Sequence, residues 1–295
     1  MPMKNTLSYL AGYIDGDGCF FLKKDKNPIK YRAYIVISST NEEVLNSFKC
    51  SFGGSVYICS PRKEHWKRSY HWNFRGKFAL EITEKLIEFL TEKKSDAFLF
   101  MEYLQTSDII HKEELIQKMK TNRDQVRVIN DSVVEQIKQT KTVGVSNELD
   151  YPYLAGFIDA ECCLGVSKYK PKNGPNFTYK IILQCQNTNP IIFFWLMERF
   201  GGSISHVKRN SKNPNHRDQI IWNLSAAKLA AVLPKILPFL RSKKSVCEKL
   251  IELHNTNIPI GISRKTQEFR DSYALVLAQR DKIVDDIHKL NSKGV

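Results

Sequence analysis
Two phrases of the same chain repeat one another. Leu10-Ala11-Gly12-Tyr13-Ile14-Asp15-Gly16-Asp17 returns as Leu154-Ala155-Gly156-Phe157-Ile158-Asp159-Ala160-Glu161, and only like-for-like exchanges separate the copies. Internal repetition constrains a fold more than composition does, and here it runs on past the motif. Thr40-Asn41 matches Thr188-Asn189, and Phe52-Gly53-Gly54-Ser55 matches Phe200-Gly201-Gly202-Ser203. Trp72-Asn73 matches Trp222-Asn223, Phe89-Leu90 matches Phe239-Leu240, and Lys93-Lys94-Ser95 matches Lys243-Lys244-Ser245. The offset drifts only by small loop insertions, with a longer loop in the second half around Ile258-Pro259-Ile260-Gly261. A period this long implies two domains, over 1–139 and 151–295 with a linker at 140–150, and 295 residues give each a core of its own.

Each motif has helical spacing. Leu7, Leu10, Ala11 and Ile14 form one apolar stripe, repeated by Leu154, Ala155 and Ile158. Glycine inside a helix costs about 1 kcal/mol relative to alanine. Retaining Gly12 and Gly156 at matching places therefore implies close approach of another backbone. The economical arrangement packs the two motif helices on each other about a pseudo-twofold axis. Behind each motif comes period-two alternation. Tyr31, Ala33, Ile35 and Ile37 point one way and Lys30, Arg32, Tyr34, Val36 and Ser38 the other. Phe177, Tyr179, Ile181, Leu183 and Cys185 oppose Thr178, Lys180, Ile182, Gln184 and Gln186 in the same phase. Such strands form antiparallel sheets with one wet face. Helical stretches follow at 79–90 and 229–240, the latter expected to break or kink at Pro234 and Pro238. The fold class is α+β.

The net charge of +14, with a pI near 9.4, points to a polyanionic partner, DNA or RNA, over an incidentally basic surface. The longest apolar run, Ile191 to Met197, is too short to span a bilayer. Seven cysteines without CxxC spacing support neither a disulfide framework nor a zinc site, which points to a reducing compartment. The N-terminal residues lack a secretory pattern, so an intracellular setting is expected, in an organelle or a prokaryotic cytoplasm.

Asp17 and Glu161 end their helices, where the macrodipole disfavours a carboxylate. Paired helices would also bring the two acids together. Either they cap turns or they share cations, and hard divalent ions prefer such oxygens, with the carbonyls of Gly16 and Ala160 as further ligands. Asp15 and Asp159 sit about 200° away around the helix, which suits a local hydrogen-bonding role instead. Lys93 and Lys243 are matched cations, solvated or else placed beside a reacting phosphate. Glu92-Lys93-Lys94 also fits an acid-x-lysine nuclease pattern, but such triplets are frequent in lysine-rich chains and leave the duplication unexplained.

These paired phrases, with the polar sheet, FGG turn and Phe-Leu-x-x-Lys segment recurring in order, resemble the LAGLIDADG homing endonucleases of the single-chain, two-motif type. The resemblance implies two αββαββα domains whose saddle-shaped sheets lie along double-stranded DNA, in a monomer acting as a pseudo-dimer. It implies that Asp17 and Glu161 bind Mg²⁺, with Mn²⁺ or Ca²⁺ as substitutes, that Lys93 and Lys243 are active-site cations, and that Ser39 and Asn187 organise water. DNA contacts would come from Phe21, Lys23, Lys30, Arg32, Tyr34, Val36, Ser38, Ser60 and Arg62. In the second half they would come from Ser167, Tyr169, Lys180, Ile182, Gln184, Gln186, His206 and Lys208. Two domains of about 145 residues span about 75 Å, or roughly 22 base pairs. One phosphodiester per strand would be cut, leaving short 3′ overhangs. Binding without cleavage, as an RNA maturase or transcriptional regulator, is the rival reading, and it would be favoured by loss of either acid.

Overall fold
Both motif phrases are helices, and they touch through their glycines. A computed structural model describes residues 3–60, 68–145, 147–170, 178–208, 217–256 and 266–292. Helix α1 (Met3–Asp17) lies against α7 (Asp150–Glu161). A Cβ added to Gly12 would fall 2.0 Å from the Tyr153 carbonyl oxygen, and one added to Gly156 would fall 2.0 Å from that of Tyr9. At Gly16 it would fall 2.5 Å from the Ala160 Cβ. No side chain fits at these crossings, which is the physical reason the sequence keeps glycine there twice.

In each half the motif helix is followed by a four-stranded antiparallel sheet. The first contains β1 (Gly18–Lys26), β2 (Ile29–Ser39), β3 (Ser55–Cys59) and β4 (Ser69–Arg75), in the order β1-β2-β4-β3. The second contains β5 (Cys162–Tyr169), β6 (Thr178–Asn187), β7 (Ser203–Val207) and β8 (Gln219–Asn223), in the order β5-β6-β8-β7. Helices α2 (Glu42–Phe52) and α8 (Ile191–Phe200) join the strand pairs. The repeated asparagines start these helices: Asn41 Oδ1 accepts from Val44 N–H, and Asn189 Oδ1 accepts from Ile191 N–H. The repeated Gly-Gly and Trp-Asn pairs belong together. Gly53, Gly54, Gly201 and Gly202 all have positive φ, and the indoles of Trp72 and Trp222 donate to the carbonyls of Gly53 and Gly201. Both tryptophans are fully buried.

Helices α3 (Gly76–Leu86), α4 (Lys94–Gln105), α5 (Ile109–Val126) and α6 (Asp131–Gln139) follow the first sheet. The second is followed by α9 (Ala226–Ile236), α10 (Lys244–Asn255) and α11 (Gln267–Ser292). Each half thus runs αββαββα with helices trailing. The helix expected over 229–240 stops short, two residues after Pro234. Pro234 lies inside α9, which ends at Ile236 just as α3 ends at the equivalent Leu86. The reversal is a property of the fold in both halves, and Pro238 falls beyond it. Helix α6 packs on β7 and α8, and Gly144 N–H donates to Glu198, so the segment before α7 runs over the second half.

The reading of the cysteines needs correction. Cys162 and Cys185 are joined by a disulfide. They face one another across β5 and β6, at the register position held by Gly18 and Ile37 in the first sheet. A spacing of 23 residues gives no hint of this, because only strand register makes them neighbours. The long second-half loop around Ile258 and the start of the second alternation at Phe177 lie outside the described residues.

Candidate active site and nucleic-acid face
Asp15 and Asp159 are buried, and their hydrogen bonds explain the expected structural role. The Asp15 carboxylate accepts from the main-chain N–H groups of Thr91, Glu92 and Lys93 at 2.7–3.1 Å. It also accepts from the Tyr153 hydroxyl of the opposite motif helix at 2.5 Å. Asp159 accepts from the N–H groups of Arg241, Ser242 and Lys243 and from the Tyr9 hydroxyl. Each aspartate therefore pins the loop that carries its own half's lysine, and a tyrosine from the other half holds the aspartate. Burial raises both phenol pKa values well above normal, so the tyrosines stay protonated donors. Tyr9 and Tyr153 escaped the sequence reading, although they match one another just ahead of the motif.

The pinned loops aim their lysines at the helix ends. Lys93 Nζ donates to the carbonyls of Ile14, Asp15 and Gly16, and Lys243 Nζ to those of Ile158 and Asp159. Cations there neutralise the negative helix ends and satisfy orphan carbonyls. The Gly16 carbonyl, an expected ligand, already accepts from Lys93. Burial lowers the Lys243 pKa, with the nearby acids opposing the shift.

Two clefts meet at the ends of the motif helices, with Asp17 on both and Glu161 on the first. One, of about 320 Å³, is lined by Asp17, Glu161, Lys93, Glu92 and Asn187, together with Arg123 and Arg127. The other, of about 340 Å³, is lined by Asp17, Ala160, Lys243, Ser39 and Tyr13. Each cleft combines the lysine of one half with the polar β-strand end of the other. Although Asp17 opens to its cleft, partial burial raises its carboxyl to about 6, with Lys93 and Lys243 opposing. Glu161 is raised to about 7 by burial and then by Asp17. Glu92, dismissed above as part of a frequent triplet, is a cleft residue raised to about 8, chiefly by burial. Carboxyls held above their ordinary range need a proton or a cation, so hard oxygen donors with this unmet demand fit a divalent ion. Among the described residues no cluster of three or more His, Cys, Asp or Glu side chains has metal-holding geometry.

The sheet faces away from the helices form a second surface. Lys30, Arg32, Tyr34, Val36 and Ser38 lie on the open face of β2, beside Phe21 and Lys23 of β1. Phe21 stacks on Tyr34 at 4.8 Å, and Asp25 ties Lys23 and Arg32 together. In the second sheet Ser167, Tyr169, Lys180, Ile182, Gln184 and Gln186 take the equivalent face, with the Gln186 amide donating to Gln219. The sequence reading missed the neighbouring column of His71, Asn73 and Arg75, in register with Ser38, Val36 and Tyr34. It also placed one residue wrongly. His206 shares the covered face with Ile204 and is held by Asp131 and Asp218, so Ser205 and Val207 take the open face. Lys208 is paired with Asp131 as well. Ser60 follows the end of β3, and Arg62 lies outside the described residues.

Residues 10–109 match the model of a family described as LAGLIDADG endonuclease. That segment, about a third of the chain, is similar to the LAGLIDADG endonucleases. A likeness in fold extends over nearly the whole chain. The meganuclease I-AabMI bound to uncleaved DNA superposes with a TM-score of 0.62 at 17% identity, covering 95% of this chain and 98% of that one. I-SmaMI bound to an uncleaveable DNA with a TTCT central four gives 0.59 at 18%, covering 95% and 99%. I-SmaMI with uncleaved target and calcium ions gives 0.56 at 16%, covering 93% and 98%. At these identities the likeness is one of fold alone. No described helix is long and apolar enough to cross a membrane.

Proposed function
We propose that the protein is a site-specific double-stranded DNA endonuclease acting as a monomer, hydrolysing one phosphodiester per strand of a pseudo-palindromic site of roughly 22 base pairs and leaving short 3′ overhangs. One observation carries this reading. Asp17 lines two clefts and Glu161 one of them, and each cleft has a lysine from one half and a polar side chain from the other. Two clefts that share Asp17 suit two strands of opposite polarity. DNA-bound relatives of the same architecture support DNA over RNA as the partner.

Asp17 and Glu161 would hold Mg²⁺, with Mn²⁺ or Ca²⁺ able to take the same place. A bound divalent ion supplies Lewis-acid activation of water and neutralises charge on the leaving oxygen. The chain does the rest. The open sheet faces grip the major groove on either side, with Arg32 and Lys180 suited to guanine edges and Gln184 and Gln186 to adenine edges. Lys93 and Lys243 place positive charge at the scissile phosphates, and Asn187 and Ser39 orient water in their clefts.

A randomised-library cleavage assay with Mg²⁺ tests the proposal and yields the target. The unmodified protein should linearise selected plasmids. Asp17→Asn or Glu161→Gln should abolish double-strand cutting while leaving DNA affinity within about tenfold, or 1.4 kcal/mol. Full cutting by either variant would sink the assignment.

A further inference from the structure
The two clefts are built alike but not held alike. In the first, the amide of Asn187 donates to the Glu92 carboxylate at 3.1 Å, and Glu92 lies 3.9 Å from Lys93 Nζ. In the second, Ser39, the counterpart of Asn187, accepts from the Tyr13 hydroxyl at 3.1 Å. Neither support exists in the other cleft. Ser242 stands where Glu92 would, with its hydroxyl turned back to the Asp159 carbonyl. Phe157 stands where Tyr13 would and has no hydroxyl to offer. The duplicated frame has thus lost one support in each half and uses a different one for each polar cleft residue.

We infer that Glu92 and Tyr13 are positioning residues with separate duties, Glu92 fixing Asn187 and Lys93 for one strand's cut and Tyr13 fixing Ser39 for the other. This rests on the endonuclease reading above. Glu92 is anchored for the task because both its own N–H and that of Lys93 are bound by Asp15. Its side chain is 8% exposed, so it turns inward to the cleft wall. Tyr13 is buried on Phe48, edge to face, which leaves its hydroxyl few directions other than that of Ser39.

Strand-resolved single-turnover cleavage of the selected duplex, labelled differently on each strand, tests this. Glu92→Ser, which installs the second cleft's residue in the first, should slow one strand by about 10- to 100-fold, the range for groups that orient the residues of a metal site. The other strand should be cut at its normal rate, so nicked duplex accumulates. Tyr13→Phe keeps the ring and should slow the opposite strand only. Glu92→Gln retains an acceptor for Asn187 and should fall between Glu92→Ser and the parent. Both cuts come from one molecule, so a misfolded fraction lowers the two amplitudes together and leaves their ratio unmoved. Equal slowing of both strands by either variant, effects on the same strand from both, or no effect from either would overturn the inference. Failure of the unmodified protein to cut at all would overturn the endonuclease reading instead.

Discussion

Asp17→Asn should make the metal-free protein more stable at pH 8, not less. Burial holds the Asp17 carboxyl at about 6 against an ordinary 3.8, even with Lys93 and Lys243 nearby. A carboxyl raised in the folded state contributes stability below its unfolded pKa and loses it as pH rises through the folded one. At pH 8 the folded protein therefore carries the full cost of an ionised Asp17. The shift of about two units corresponds to at most roughly 3 kcal/mol. Because the side chain opens to the cleft, solvent screening reduces this to about 1–2 kcal/mol. Asparagine removes the charge with little change of shape, so the melting temperature should rise by about 2–6 °C. The gain should shrink to about half by pH 5, where the native carboxyl is largely protonated. Scanning calorimetry in chelator at both pH values checks this, and Mg²⁺ should then stabilise the parent but not the variant. A lower melting temperature for Asp17→Asn at pH 8, or an equal gain at both pH values, would refute the reasoning.

Three further outcomes follow from the same geometry. Gly12→Ala should cost more than about 4 kcal/mol or prevent soluble expression, since its Cβ would meet main-chain atoms that cannot yield. Gly76→Ala, with positive φ but open space around it, should cost only about 1–2 kcal/mol by urea denaturation; equal effects would show that the helix contact is not tight. Calcium must displace protons from Asp17 and Glu161, raised to about 6 and 7. Its affinity by titration calorimetry should therefore fall about tenfold or more from pH 8 to pH 6, and a flat profile would remove these acids from the metal site. Gln184→Ala should relax preference at one or two adjacent base pairs on one side of the target, costing about 1–3 kcal/mol. A uniform loss over all sequences would mark a phosphate contact instead.

The repeated phrases made the helix pair readable because glycine at Gly12 and Gly156 has only one good physical excuse. Alternation likewise exposed the faces of β2 and β6, since polarity there follows the pleat. Features that depend on register were hidden. Cys162 and Cys185 become neighbours only once β5 and β6 are aligned. His71 and Arg75 join the open face only through pairing with β2, and the short β7 gave too little alternation to show that His206 turns inward. Glu92 was hidden by the repeat itself. Matching the halves draws the eye to Lys93 and Lys243 and away from the preceding position, where Glu92 and Ser242 differ.

The crossing of α1 and α7 acts as a gauge, in the sense that rails have a gauge. Tyr153 and Tyr9 carbonyls rest in the hollows left by Gly12 and Gly156, so the helices can neither slide nor roll without main-chain collision. The two clefts hang from the ends of those helices through Asp15 and Asp159. Their separation is therefore a property of the backbone, indifferent to the side chains on the open sheet faces. For the endonuclease proposed above, recoding Gln184 or Arg32 would redirect binding to another sequence, while the stagger between the two cuts would remain the one set by a pair of missing side chains.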